Sequence, residues 1–169
     1  LVPRLAGGYK AFRNFLLGRL EPAYLSSQPL VLGGRTGSGK TLLLNRLDNS
    51  IDLEALAHHR GSSFGGHLTP QPCQADFENR LAAALIRHAE GGHAYLVVED
   101  EGKHVGQRFL PRGLSRFFAT GKLVVLETPV AERVEMTFQE YVVAGQRQYQ
   151  EAFGEEAGPG RWQEAMVDN

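Results

Sequence analysis

A glycine-rich segment near residue 40 has the residue types and the spacing needed to bind phosphate. It consists of Gly34, Arg35, Thr36, Gly37, Ser38, Gly39, Lys40 and Thr41, which is the complete P-loop pattern. Its glycines permit backbone angles that other residues avoid, so main-chain amides can approach phosphate oxygens closely. Lys40 would place a positive charge on the terminal phosphates, and the Thr41 hydroxyl would coordinate Mg²⁺. We therefore expect this segment to bind a phosphorylated ligand, with Lys40 also acting in catalysis.

A strand must lead into this loop and a helix must follow it. Residues 29–32 form a short apolar run typical of a buried strand, and residues 42–47 begin an apolar helix. Further apolar runs predict a strand turning into a loop at 51–54 and buried strands at 94–98 and 123–127. Helical periodicity predicts helices at 74–90, 111–120 and 128–153. This alternation predicts an α/β fold, a P-loop NTPase-like doubly wound parallel sheet with helices on both faces.

The last predicted helix carries an apolar stripe along its length. Thr128 is the predicted N-cap, and Pro129 is the predicted first helical residue. The stripe consists of Val130, Val134, Phe138, Tyr141, Val142 and Tyr149. This spacing predicts one long helix that runs towards Phe153 and packs through its apolar face.

Acidic residues follow the predicted strand at 94–98. Glu99 and Asp100 would lie at the sheet edge where open α/β folds bind their ligands. One of them would hold Mg²⁺ or a water, as in the Walker B arrangement, and the sequence does not separate the two. We therefore expect Glu99 and Asp100 to act in catalysis and, with Thr41, to bind the metal. The alternative is a solvated acidic turn.

A polar loop rich in histidine and glycine follows the strand predicted at 51–54. It contains His58, His59 and His67, but adjacent histidines point apart and no cysteine or carboxylate completes a ligand set. Its other polar side chains, Arg60, Ser62 and Ser63, suit an anionic ligand or a nucleotide base. We expect Arg60 to be catalytic and the two serines to bind the ligand. The alternative is an ordinary surface loop.

Composition narrows the class of protein. The 169 residues are 42% apolar and 22% charged, which is typical of a soluble globular domain. The net charge of −1 gives no general attraction to nucleic acid or membrane, so a nucleic-acid contact would need a local basic patch. The single cysteine, Cys73, excludes an internal disulfide and suits a reducing compartment. Because no membrane span or secretory signal is visible, we expect a cytoplasmic protein without a membrane partner.

Several segments together resemble one known family, the tRNA 2-selenouridine synthases. The most specific is the loop His59-Arg60-Gly61-Ser62-Ser63-Phe64-Gly65. The others lie at 7–13, 34–41, 51–54, 71–72, 77–79, 99–101, 105–106 and 132–133. The resemblance covers nearly the whole chain, whereas the P-loop by itself would indicate only a superfamily.

The resemblance implies a function and a domain organisation. Members of this family join an N-terminal rhodanese-like domain to a C-terminal P-loop domain and act on 2-thiouridine at the tRNA wobble position. They geranylate its sulfur with geranyl diphosphate and then replace the sulfur with selenium from selenophosphate. Residues 1–25 would then be a helical connector from an absent rhodanese domain, and residues 26–169 a P-loop domain that stops short of the usual C-terminus.

The resemblance also implies partners and limits on single residues. The partners would be the tRNA anticodon region and the upstream rhodanese domain, and the P-loop ligand would be geranyl diphosphate, selenophosphate or a nucleoside triphosphate. Cys73 does not inherit the role of the rhodanese cysteine, which lies upstream. The family has serine near position 73, and often serine and arginine near Gly102 and Lys103, so no role is assigned to these three side chains.

Two other classes of function share parts of this pattern. A small-molecule or nucleotide kinase would also have a P-loop, an acid such as Asp52 after the second strand, and arginines able to cover the phosphates. A non-catalytic module that docks tRNA or senses a nucleotide would bind tRNA with a steep salt dependence. The loop at 59–65 favours the synthase over a kinase, and the near-neutral net charge of −1 counts against a docking module unless the basic residues form a one-sided patch.

Overall fold

A parallel β-sheet lies at the centre of the molecule, and a computed structural model describes residues 4–62 and 66–167. The strands are β1 (Gln28–Gly33), β2 (Ser50–Ile51), β3 (Tyr95–Glu99), β4 (His104–Val105), β5 (Arg108–Phe109) and β6 (Lys122–Val125). Four of them form the parallel sheet in the order β2-β3-β1-β6, while β4 and β5 form a small antiparallel hairpin. Leu32 pairs with Glu99, and Gly33 with Val125, so the carboxyl ends of β1, β3 and β6 meet at one edge. Ligands of open α/β sheets bind at this edge.

Helices connect and flank these strands. They are α1 (Gly8–Arg19), α2 (Lys40–Leu44), α3 (Leu53–Ala57), α4 (Gln74–Glu90), α5 (Arg112–Phe118), α6 (Val130–Thr137), α7 (Ala144–Phe153) and α8 (Gly158–Val167). A short 3₁₀ turn spans Pro22–Tyr24, and a π-helical turn, Phe138–Val143, joins α6 to α7. The arrangement confirms the predicted P-loop NTPase-like α/β fold. Within the described residues, no helix is both long enough and apolar enough to cross a membrane.

The largest part of the core lies between α4 and the sheet. Phe77, Leu81 and Leu85 recur every four residues along α4, and all three are fully buried. They pack in one cluster with Leu96 and Val98 of β3. Asp76 in the first turn and basic residues in the last turn suit the helix dipole. The helix predicted at 74–90 is therefore confirmed.

The N-terminal helix belongs to this packed body. Leu16 of α1 and the following Leu20 lie in the same core cluster. Arg13 forms an ion pair with Glu78 and donates a hydrogen bond to the Asn79 side chain at 2.6 Å. Helix α1 thus packs against α4 as part of the core. Its use as a connector to another domain stays a prediction.

The strands predicted at 51–54 and 123–127 both differ from those in the structure. The strand predicted at 51–54 ends at Ile51, because the Asp52 side chain accepts a hydrogen bond from the Ala55 amide at 2.7 Å and caps α3. The strand predicted at 123–127 exists as β6, but the prediction that it is buried is wrong. Leu123, Val124 and Val125 are between 51% and 59% exposed, because the described residues leave the faces of β6 largely uncovered; Ile51 of β2, the other end strand, is only 4% exposed.

The long helix predicted at 128–153 is interrupted and begins later. Pro129 occupies the N-cap position, and the Thr128 hydroxyl instead donates to the Ser38 carbonyl at 2.9 Å. The predicted apolar stripe is not buried as a unit, since Val134 is 62% exposed whereas Tyr141 is 8% exposed. The π-helical turn changes the direction of side chains along the helix, so a stripe drawn with α-helical spacing does not stay on one face.

Candidate functional site

A cavity of about 640 Å³ lies at the carboxyl edge of β1 and β3. The P-loop forms one wall, and residues from the end of α6 and the π-helical turn form the opposite wall. The start of α3, the loop that follows it, and the residues after β3 close the remaining side. Among the residues predicted from sequence, the cavity wall contains Gly34, Thr36, Gly37, Ser38, Gly39, Lys40, Thr41, Arg60 and Asp100.

The P-loop conformation depends on glycine at its tip. Gly37 has a φ of +74°, and a Cβ there would overlap the Arg133 carbonyl oxygen and the Thr137 hydroxyl of α6. Only a residue without a side chain permits this close approach of loop and helix. Gly39, with a φ of +87°, leads directly into α2. The loop and the end of α6 therefore meet at one side of the cavity that both line.

Two side chains of the P-loop, Lys40 and Ser38, have hydrogen-bonding groups that suit an anion. The Lys40 ammonium donates to the Gly34 carbonyl at 2.9 Å, so its charge is folded back over the loop. The Ser38 hydroxyl is buried, and no hydrogen-bond partner for it lies in the described part of the chain. Buried polar atoms are almost always hydrogen-bonded, so this hydroxyl has an unused donor at the wall of the cavity. A phosphate oxygen would supply the missing acceptor.

The two predicted acids after β3 occupy different positions. Asp100 is exposed at the cavity wall, and its amide donates to the Leu32 carbonyl at 3.1 Å. Glu99 is only 3% exposed and lies behind the wall, where it accepts a hydrogen bond from the Glu54 amide at 3.1 Å. Burial, followed by the nearby charge of Asp52, raises the pKa of Glu99 to about 8. Asp100 is thus the predicted acid that faces the cavity, and Glu99 supports the start of α3.

Two further carboxyl groups in the cavity were not predicted. Glu54 of α3 and Glu101 both line the cavity, where they lie against Gly61 and share a hydrogen bond. Burial, the Glu99 charge and this hydrogen bond raise the pKa of Glu54 to about 9, against the opposing effect of Lys40. Burial also raises the pKa of Glu101. The pair therefore holds a proton at neutral pH.

Two sequence signals point to these residues: each lies close after a strand end, and each belongs to a segment that resembles the synthase family, 51–54 or 99–101. Glu101 belongs to the acidic run 99–101, whose first two members were chosen because they are nearest to the strand. Glu54 was assigned to a strand and belongs to a helix, so its direction was not predictable from the pattern.

The loop predicted to bind the ligand contacts the far wall of the cavity. The Arg60 guanidinium lies 5.6 Å from the centre of the Tyr141 ring and 3.9 Å from the Glu140 carboxylate. Ser62 lies outside the cavity wall, and its hydroxyl is 2.7 Å from the Tyr141 hydroxyl. Ser63 lies outside the described residues. Arg35 lines a neighbouring hollow beside β6 rather than this cavity.

The histidines of this loop pack against each other. The rings of His58 and His67 stack at 4.1 Å, and His58 Nε2 lies 2.8 Å from the Thr69 hydroxyl. Burial and then the Arg60 charge lower the pKa of His67 to about 4, so this ring is neutral at physiological pH. In the two described ranges, no group of three or more histidine, cysteine, aspartate or glutamate side chains is arranged to hold a metal ion.

The fold and this cavity together define a class of protein. A parallel sheet, a P-loop between its first strand and the next helix, and an aspartate after a neighbouring strand form a P-loop NTPase-like α/β domain. The family profile described as the tRNA 2-selenouridine synthase AAA domain matches residues 27–169. The chain therefore belongs to this family, as the resemblance in its sequence motifs indicated.

Individual relatives agree with this assignment. A tRNA 2-selenouridine synthase of Sulfurovum sp. (strain NBC37-1) is 55% identical over 90% of this chain and 42% of its own length. The protein of the same name from Hydrogenovibrio crunogenus is 51% identical over 88% of the chain and 43% of its own length. The protein of the same name from Shewanella frigidimarina is 41% identical over 93% of the chain and 43% of its own length. The chain thus spans about two fifths of the length of these relatives. No solved structure matches it.

Proposed function

We propose that this chain is the phosphate-binding domain of an enzyme that converts wobble 2-thiouridine in tRNA to 2-selenouridine through an S-geranyl intermediate. The observation that carries the proposal is the P-loop cavity, with the Lys40 ammonium and the unpaired Ser38 hydroxyl at its wall. Relatives named tRNA 2-selenouridine synthase support the choice of reaction. The tRNA anticodon region and a rhodanese domain elsewhere in the longer protein would be its partners, in the cytoplasm.

The first chemical step explains why such an enzyme needs a phosphate site. The sulfur of 2-thiouridine forms a bond to C1 of geranyl diphosphate, while the C1–O bond breaks, diphosphate leaves with the electron pair and the N3 proton of the base is released to solvent. Negative charge grows on the leaving group as this bond breaks, so preorganised amides and Lys40 stabilise the transition state more than the ground state. In the second step, the selenium of selenophosphate forms a bond to C2 of the base and the C2–S bond breaks, so that geranyl thiol leaves; water then cleaves the Se–P bond and releases phosphate. Selenophosphate is also an anion that this loop would accept.

The residues at the cavity fit a Mg²⁺ ion that arrives with the phosphorylated substrate. Thr41 and Asp100 both line the cavity and provide the oxygen ligands that Mg²⁺ prefers. Bound there, the ion would add positive charge next to the diphosphate. We assign Arg60, which lines the cavity from the loop after α3, the same role of adding positive charge, and Glu99 the role of holding α3 in place behind the acids.

Calorimetric titration of the chain with geranyl diphosphate and Mg²⁺ tests the proposal. Lys40→Ala should weaken binding by about 10- to 100-fold, because a charge-assisted hydrogen bond contributes about 1.5–3 kcal/mol. Lys122→Ala is the matched control, since Lys122 is an exposed lysine at the opposite end of the sheet. Equal affinities of the two variants would contradict the phosphate assignment.

The same titration with ATP and GTP separates the other classes of function. Tight binding of a nucleotide without binding of geranyl diphosphate would favour a kinase or a nucleotide-sensing module. Binding of tRNA alone, with a steep dependence on salt, would favour a docking module.

A further inference from the structure

The π-helical turn contributes one largely buried aromatic side chain to the wall of the cavity. Tyr141 lies in this turn and is 8% exposed, whereas Phe138 at its start is 48% exposed and Val143 at its end is 43% exposed. Single π-helical turns within longer helices are frequent at functional sites. Here the turn directs Tyr141 towards the loop that carries Arg60.

Tyr141 contacts this loop through its hydroxyl and through its ring. The hydroxyl donates to the Arg60 carbonyl at 3.3 Å, and the Ser62 hydroxyl lies 2.7 Å away and can donate to the same phenol oxygen. The Arg60 guanidinium lies 5.6 Å from the centre of the ring, within the range of a cation–π contact. One side chain therefore holds both the backbone and the side chain of Arg60.

The other contacts of the Arg60 guanidinium are long. It lies 3.9 Å from Glu140, 3.4 Å from the Gln148 side-chain oxygen and 3.5 Å from the Gly66 carbonyl. Hydrogen bonds weaken steeply towards such distances, so these groups do not fix the guanidinium. Tyr141 contacts Arg60 at both its backbone carbonyl and its guanidinium, while the weakly held N–H donors of the guanidinium are available to an anion.

We propose that Tyr141 is a positioning residue that holds Arg60 across the cavity from Lys40, so that both cations contact the same phosphorylated ligand. This inference rests on the proposed phosphate site. If it holds Arg60 in place, Tyr141 affects the affinity for the ligand although it does not itself bind phosphate.

Binding of inorganic pyrophosphate to Tyr141→Phe tests this role. The substitution keeps the ring and removes the hydroxyl that joins the two walls, and we expect affinity to fall about tenfold, as for loss of two net hydrogen bonds. Tyr149→Phe is the matched control, because Tyr149 lies on α7 and packs through its ring on Phe153. Ser62→Ala, which removes the shorter contact from the loop side, gives a second measurement if Tyr141→Phe does not fold.

Combining substitutions separates positioning from general damage. Arg60→Ala should weaken binding much less in the Tyr141→Phe background than in the unsubstituted chain, because Arg60 is already displaced there. Lys40→Ala should weaken binding by the same factor in both backgrounds. An unchanged effect of Arg60→Ala would overturn the role of Tyr141 while leaving the phosphate site intact. If the unsubstituted chain did not bind pyrophosphate, the proposed function and this inference would both be wrong.

Discussion

The two strands that flank β1 are equally apolar but differ in their surroundings. On one side, Leu96 and Val98 of β3 are fully buried beneath α4 and its neighbours. On the other side, Leu123 and Val124 of β6 are 59% and 51% exposed. Both strands pair with β1 in parallel, so the difference does not arise from the strands themselves. An apolar run predicts a strand with side chains that other segments can bury. Whether those side chains are buried depends on how the rest of the protein packs against the strand.

The candidate site lies where these two regions meet. Its P-loop follows β1, and its acids follow β3, both of which belong to the packed region. The opposite wall comes from α6 and the π-helical turn, where Val134 and Phe138 are largely exposed. Elements with few buried contacts open at lower free-energy cost than the core. The phosphate loop therefore has a firm support, while the wall that carries Tyr141 is the more easily moved.

The largest difference between the two regions should appear in phenylalanine substitutions. Phe77→Ala removes a fully buried ring of α4 and should lower the free energy of unfolding by about 3–5 kcal/mol. Phe138→Ala, at a ring that is 48% exposed, should cost clearly less. Urea unfolding of both variants measures this difference. Equal losses would mean that the region around α6 is as well packed in solution as the core.

Sequence patterns were sufficient to predict those parts of the fold that depend on residues close together in the chain. The P-loop needs a fixed order of residue types, and α4 displays helical periodicity between clear start and stop signals, so both were predicted within narrow bounds. Asp52 shows how a single residue changes such a prediction. Its side chain caps α3, and an expected strand becomes a helix from Leu53 onwards.

The parts that were missed depend on contacts between distant segments. Glu54 and Glu101 are 47 positions apart in the numbering and meet only because β2 and β3 are adjacent in the sheet. Tyr141 was assigned to an apolar stripe, and its contacts with Ser62 and Arg60 require a π-helical turn that α-helical spacing does not reveal. A pattern within one segment cannot specify such pairs.

A smaller effect should appear in the dependence of the free energy of unfolding on pH, through the carboxyl groups at the candidate site. The pKa of Glu54 is raised from 4.5 to about 9, and that of Glu99 from 4.5 to about 8. A raised carboxyl pKa stabilises the folded state fully below about 4.5, and this contribution is lost as the pH rises through the folded-state values. The free energy of unfolding should therefore fall progressively as the pH rises from about 4.5 to about 9, and change little at higher pH.

Glu54→Gln isolates this effect, because glutamine stays neutral and avoids the repulsion from Glu99 and Glu101 in the folded state. Its unfolding free energy, measured in urea at several pH values, should fall less steeply than that of the unsubstituted chain. Glu135→Gln is the control from the opposite wall of the same cavity, where the carboxylate is exposed. If both variants kept the original slope, ionisation of Glu54 would not contribute to it.

The smallest effect should come from the exposed strand itself. Val124→Ser replaces a side chain that is 51% exposed on β6, and we expect it to change the free energy of unfolding by about 1 kcal/mol or less, as for most surface sites. Val98→Ser is the matched substitution on β3, where it would leave a hydroxyl buried in the core and cost several times more. Urea unfolding at two protein concentrations measures both. A large cost for Val124→Ser that grows with concentration would show that β6 is covered by a second copy of the chain in solution. A large cost that is independent of concentration would show that β6 is covered from within the chain, and the contrast between the two strands would then be wrong.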